Sequence, residues 1–183
     1  SKSKNLVVLD IPLKFNNNLK INKEEKIKYI FKCLNFGHEL AVKKKIIGLI
    51  NLPIDKSVFR NKYLGVTEFL AKKNNLKGSE VMMIYNKKLS VVPLTTHIDL
   101  KKVASQINSI ILKKKVKTIN YFYKKIFKKK PKIIVLGLNP HNAEFRSNSE
   151  ERKIILPCVK SLQKENISIK GPFSADSIFL NKS

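Results

Sequence analysis

Two short apolar runs, Ile46–Ile50 and Ile133–Leu136, constrain this chain more than any other feature. Neither contains a charged or polar side chain, and each is too short to read as a helix on its own. Runs of this kind suit strands buried on both faces, as in parallel sheets. The segments around them have the other periodicity. Ile27, Ile30, Phe31, Leu34 and Ala41 recur at helical spacing between about Glu24 and Lys45. Leu100, Val103, Ala104, Ile107, Ile110 and Ile111 define an amphipathic helix. Ile154, Ile155, Cys158, Val159 and Leu162 define another, with Ser147 and Glu150 spaced as a capping box. Thr67–Lys73 also reads as helix. Leu6–Leu9 reads as a short strand before the polar loop Asn16–Asn18. Val81–Tyr85 and Leu89–Val92 read as strands of a hairpin turning at Asn86–Lys88. Strands alternating with helices predict an α/β fold, a mixed sheet flanked by helices in which Ile46–Ile50 and Ile133–Leu138 are interior strands. Residues 1–183 are expected to form a single α/β unit.

The charge is extreme: 38 Lys+Arg against 13 Asp+Glu, a formal net of +25. Such an excess points toward nucleic acid or an anionic membrane. Its distribution argues against both. The lysines gather as Lys43–Lys45, Lys72-Lys73, Lys113–Lys115 and Lys128–Lys130, at the ends or polar faces of apolar-periodic segments. Those are the ordinary places for solvated charge and for cations at helix C-termini. Cys33 and Cys158 are far apart, each within a helical apolar pattern, and read as reduced core thiols. No apolar run reaches the length of a membrane span, and the first residues lack the layout of a signal peptide. A soluble cytoplasmic protein is expected.

Three histidines are available for chemistry. His38 falls four residues after Leu34 in a helical pattern and reads as a half-buried structural histidine. His97 and His141 each follow an apolar strand at its C-terminal end, where α/β proteins gather their ligands. Two neutral imidazoles presented there could share a divalent metal or be unrelated, and spacing does not decide between these. Gly65-Val66-Thr67-Glu68 places a hydroxyl at a helix start, which could favour a phosphate or be an ordinary first turn. There is no glycine-rich dinucleotide fingerprint, P-loop, CxxC pair or nucleophile elbow.

Several separated stretches, in order, resemble the 4-hydroxythreonine-4-phosphate dehydrogenase family. Leu52-Pro53-Ile54-Asp55-Lys56 is similar to its Gly-Pro-Ile/Val-x-Lys turn. Gly65–Leu70 is similar to its Gly-His-Thr-Glu-Phe/Tyr motif except at Val66, and Thr95–Leu100 to its Thr-Thr-His-x-Pro-Leu motif. Gly137-Leu138-Asn139-Pro140-His141 matches its Gly-Leu-Asn-Pro-His motif, and Gly171–Asp176 resembles its Gly-Pro-x-x-Ala-Asp segment. The likeness runs from about residue 25 onward and identifies the chain as the central segment of an isocitrate/isopropylmalate dehydrogenase-like fold.

The resemblance implies an enzyme that oxidises the hydroxyl of 4-phosphooxy-L-threonine with NAD or NADP, after which the β-keto acid loses carbon dioxide. It implies His97 and His141 as two of three histidines around a divalent ion (Zn, Mg or Co). It places Val66 and Thr67 at the substrate-binding positions, and it implies a homodimer with the metal site at the subunit interface. The chain departs from the pattern in two ways. Val66 stands where the family has a substrate-binding histidine, and valine has no hydrogen-bonding side chain. The third metal histidine and further substrate residues belong to motifs outside these 183 residues. Residues 1–183 alone are therefore expected not to reduce NAD or NADP. The alternative from the residues themselves is a non-catalytic basic α/β protein that binds an anionic partner such as nucleic acid.

Overall fold

Asn22 opens the longest helix. Its side-chain oxygen accepts the Glu24 N–H at 2.9 Å, and Glu24 and Glu25 lie in the first turn, where the positive end of the helix dipole favours them. The helix, α1, spans Lys23–Val42 and buries Ile27 and Leu34. This computed structural model describes residues 6–13, 21–59, 62–76 and 78–178; the polar loop expected at Asn16–Asn18 lies outside them. The chain divides into two compact units, Ser1–Tyr63 and Leu64–Ser183, where one α/β unit was expected.

In the first unit a short 3₁₀ turn, Lys56–Phe59, follows Asp55, whose carboxylate accepts the Ser57 N–H at 2.8 Å. Phe59 is buried and meets the Phe31 ring edge-on, 5.7 Å between centroids. Two expectations fail here. Ile46–Ile50 is not a strand: the backbone is irregular, with Ile47 and Ile50 almost fully exposed. Leu6–Leu9 is likewise exposed and without regular structure. An apolar run becomes a strand only where a second backbone edge accepts and donates its hydrogen bonds. The described residues offer these two segments no such edge. Among its described residues, the first unit has only helical and irregular segments.

The second unit carries α2 (Val66–Lys73), α3 (Val103–Gln106), α4 (Ser109–Phe127), β1 (Ile133–Leu136), α5 (Leu156–Lys164) and β2 (Ile169–Phe173). β1, α5 and β2 form a β–α–β unit, and the two strands pair in parallel with Ile133 opposite Ile169 and Leu136 opposite Phe173. A bulge between Ile134 and Leu136 falls beside Gly171, whose φ of +127° and close approach to the Val135 carbonyl exclude a β-carbon. β1 is the strand expected, but among the described residues it has one partner, and it leaves Ile134 exposed. The expected mixed sheet is this parallel pair. The hairpin expected at Val81–Val92 reduces to one antiparallel bridge, Ile84 to Val91, with both N–H···O distances 2.9 Å.

The core lies between α4, α5 and the strand pair. Leu112 and Val116 from α4 meet Ile155, Cys158, Val159 and Leu162, with Ile107, Ile167 and Ile169 closing the cluster. Cys158 is a free thiol inside it, and burial pushes its pKa up, as expected of a structural cysteine. Cys33 is free and half-buried. The single helix expected from Leu100 to Ile111 is broken. A 3₁₀ turn at Leu100–Lys102 and α3 end at Ile107, where Asn108 starts α4 by accepting the Ile111 N–H at 2.9 Å. The second helix also starts differently: Ser149, not Ser147, receives its first turn, with a π turn at Glu151–Ile155 leading into α5.

Candidate active site at the ends of β1 and β2

Immediately after β1 the chain makes a turn that few sequences adopt. His141, Asn142, Ala143, Glu144 and Phe145 all have φ between 46° and 56°, a left-handed turn without a glycine. Left-handed backbone costs an L-residue roughly 1–2 kcal/mol, so a run of it persists only where its surroundings hold it. Three contacts do so. Glu151, fully buried, accepts the Asn139 N–H at 2.8 Å and the Asn139 carboxamide at 3.2 Å. Asn142, also buried, reaches the end of β2. With its carboxamide oriented to satisfy its surroundings, it donates to the Phe173 carbonyl and accepts the Ser174 N–H, both at 3.2 Å. At the far end the Arg152 guanidinium donates to the Phe145 carbonyl at 3.3 Å.

This turn presents His141 to solvent, with its Nδ1 3.5 Å from Asp176 Oδ2. Asp176 also accepts the Ser174 hydroxyl at 2.5 Å. The Ser174 hydrogen bond, and beyond it the nearness of His141, hold the Asp176 carboxyl below the usual carboxylate range. Glu151 is lowered as well. Burial alone would raise it, but the hydrogen bonds from Asn139 outweigh that cost.

His97 is exposed and also has left-handed backbone, φ 57°, beyond the Ile84–Val91 bridge. No hydrogen bond or ion pair among the described residues joins it to His141. No group of three or more His, Cys, Asp or Glu side chains among them is arranged to hold a metal. Val66 and Thr67 are the first two residues of α2, Val66 half-buried and Thr67 exposed. Gly65 precedes them with extended backbone, and its carbonyl accepts the Phe69 N–H at 3.1 Å. The amides of Val66 and Thr67 lie in the first turn, where helical N–H groups have no partner inside the helix. His38 is half-buried, its Nε2 enclosed without a hydrogen-bond partner among the described residues. Asp176, Asn142 and Glu151 carried no role in the sequence reading. Asp176 stood in a quoted segment, and Glu151 leads the spacing 151, 155, 158, 162 that defines the buried face of its helix.

Comparison with known proteins gives the family. A family model described as pyridoxal phosphate biosynthetic protein PdxA matches residues 1–183. A 4-hydroxythreonine-4-phosphate dehydrogenase of Aquifex aeolicus is 41% identical over 147 residues, which cover 78% of this chain and 46% of that protein. The enzyme of the same name from Wigglesworthia glossinidia brevipalpis is 35% identical over 182 residues, 94% of this chain and 54% of that protein. A crystal structure of 4-hydroxythreonine-4-phosphate dehydrogenase from Klebsiella pneumoniae superposes with a TM-score of 0.75 at 26% identity, over 85% of this chain and 49% of that one. The chain thus spans about half the length of the relatives it matches.

Proposed function

The chain belongs to the family of pyridoxal phosphate biosynthetic protein PdxA, and from that membership we propose that it supplies the central part of a 4-hydroxythreonine-4-phosphate dehydrogenase. The substrate is 4-phosphooxy-L-threonine. Its hydroxyl is oxidised with NAD or NADP as hydride acceptor, and the resulting β-keto acid loses carbon dioxide. The observation that carries this reading is His141, presented on a left-handed turn with Asp176 beside its Nδ1. The carboxylate lies on the Nδ1 side of an exposed ring and leaves Nε2 open to a ligand, an arrangement that suits a metal-binding histidine.

The donor chemistry fits a divalent ion (Zn, Mg or Co) held by His97 and His141, whose exposed imidazoles do not close its shell by themselves. When bound, such an ion supplies Lewis-acid polarisation of the reacting oxygens. The chain's own residues bind and orient. Thr67 offers its hydroxyl, and the first-turn amides of α2 suit the substrate phosphate. Val66, half-buried at the first position of α2, has no hydrogen-bonding side chain to offer. No residue of the chain is assigned to the nicotinamide. The same reading makes residues 1–183 the central portion of an isocitrate/isopropylmalate dehydrogenase-like fold, acting in the cytoplasm as a homodimer with the metal site at the subunit interface. No helix among the described residues is long and apolar enough to cross a membrane.

The test is NAD(P)H formation from 4-phosphooxy-L-threonine with added divalent metal. Residues 1–183 alone are expected to be inactive, because two imidazoles leave the metal shell open, and Val66→His is expected not to rescue them. A longer form carrying the family's third histidine should turn over and lose activity in His141→Ala. An inert longer form, or robust turnover by residues 1–183, would contradict the proposal.

A further inference from the structure

The proposed function gives His141 a role but does not say what holds it in place. We infer that Glu151 is a positioning residue for His141, acting through Asn139 to hold the left-handed turn in the conformation that presents the imidazole. The inference rests on the reading of His141 as a metal ligand, and its structural half can be tested without metal.

The case starts from burial. Glu151 has no exposed surface, which for a glutamate requires specific partners. Its partners are almost all one residue. Asn139 gives it the backbone N–H at 2.8 Å and the carboxamide at 3.2 Å to each carboxylate oxygen. The same carboxamide also donates to Glu150 at 3.1 Å. Asn139 is the residue before Pro140, so fixing it fixes the direction in which the chain enters the turn. Its own backbone is extended, φ −97° and ψ 151°, and the next free residue, His141, is already left-handed. The change of backbone hand therefore occurs across Pro140, directly after the residue that Glu151 grips.

Glu151 reaches this position from the core. It lies on the helix face of Ile155, Cys158 and Leu162, all buried, so packing of that face sets where its carboxylate points. Its neighbour Arg152, which is exposed, holds the other end of the turn at the Phe145 carbonyl. Two consecutive helical residues thus grip the entry and exit of the segment that carries His141. A residue that served only the core would have no need of charge; leucine would fill the volume at less cost in desolvation.

The experiment uses residues 1–183, with Glu151→Gln keeping size and removing charge, and Arg152→Ala changing only the exposed contact. Backbone couplings and chemical shifts by NMR report the sign of φ at residues 141–145 without metal. Cobalt(II) titration, followed by visible absorption, reports ligation. Glu151→Gln should keep the shifts of the β1–α5–β2 core, lose the left-handed signature at His141–Phe145, and weaken cobalt binding about tenfold or more. Arg152→Ala should loosen Phe145 and weaken cobalt binding less. A left-handed turn unchanged in Glu151→Gln would overturn the inference. If Glu151→Gln fails to fold, Asn139→Ala, which removes the carboxamide that Glu151 holds, carries the test: a loosened turn on an intact core supports the inference, and an unchanged one overturns it. If the turn loosens while cobalt binding ignores both Glu151→Gln and His141→Ala, the positioning role stands and the metal reading of His141 falls.

Discussion

Gly137 stands where a β-carbon would collide with the Asn142 side chain and lie 3.2 Å from the Glu151 carboxylate. The glycine of Gly-Leu-Asn-Pro-His is therefore needed for space, because two buried polar side chains cross behind it. Gly137→Ala should destabilise the chain by roughly 1–3 kcal/mol in urea unfolding, as overpacking of a filled site does; an unchanged midpoint would show that Asn142 has room to move. Glu151 makes the second prediction at this scale. Its folded pKa is lowered, so its carboxylate contributes stability that is fully present above the ordinary glutamate range. That contribution is lost as pH falls through the lowered folded value. Thermal unfolding should show an acid limb that Glu151→Gln flattens, and an identical limb in the variant would remove Glu151 from the account. Both residues were partly legible. The motif marked Gly137, and the 151, 155, 158, 162 spacing carried Glu151, but spacing does not tell a buried carboxylate from an exposed one. The left-handed turn was not legible, since His-Asn-Ala-Glu-Phe has no glycine to announce it and tertiary contacts impose it.

Elements were legible where local signals and packing agree. α1, α2, β1 and α5 fall close to the expected positions because each has an apolar stripe with a core to meet, whereas β2, Ile169–Phe173, was not expected as a strand. The expectation failed where one rule was applied alone. Ile46–Ile50 was read as an interior strand from composition, yet a strand is a pairing, and no partner is supplied among the described residues. The stretch from Leu100 to Ile111 has helical spacing throughout, but Asn108 accepts the Ile111 N–H and starts a new helix instead of continuing the old one. Asn108→Ala should then cost about 1 kcal/mol of stability through loss of the α4 cap. A helical content that rises in the variant, with no loss of stability, would mean that the break has another cause. Leu162 is fully buried between α5 and its neighbours. Leu162→Ala should cost about 2–5 kcal/mol in the same unfolding assay, and a cost under about 1 kcal/mol would place the core elsewhere.

At the scale of the whole molecule, charge and site make separate claims. The net charge of +25 predicts weak, sequence-independent association with duplex DNA that collapses as salt rises, because released counterions drive it. Tight, salt-resistant binding in a filter or anisotropy assay would promote the anionic-partner reading over the enzyme. The site claim is more specific. Family membership was legible from five short motifs because each keeps its residues adjacent in sequence. Whether His97 and His141 meet one ion was not legible, since residues 44 apart are brought together only by the fold or by a second subunit. The most direct measurement is a cobalt(II) titration of the chain, followed by visible absorption, beside His97→Ala and His141→Ala. The account predicts one cobalt signal, carrying imidazole ligation, that both single variants abolish. A signal that survives either substitution, or no cobalt binding by the unaltered chain, would contradict it.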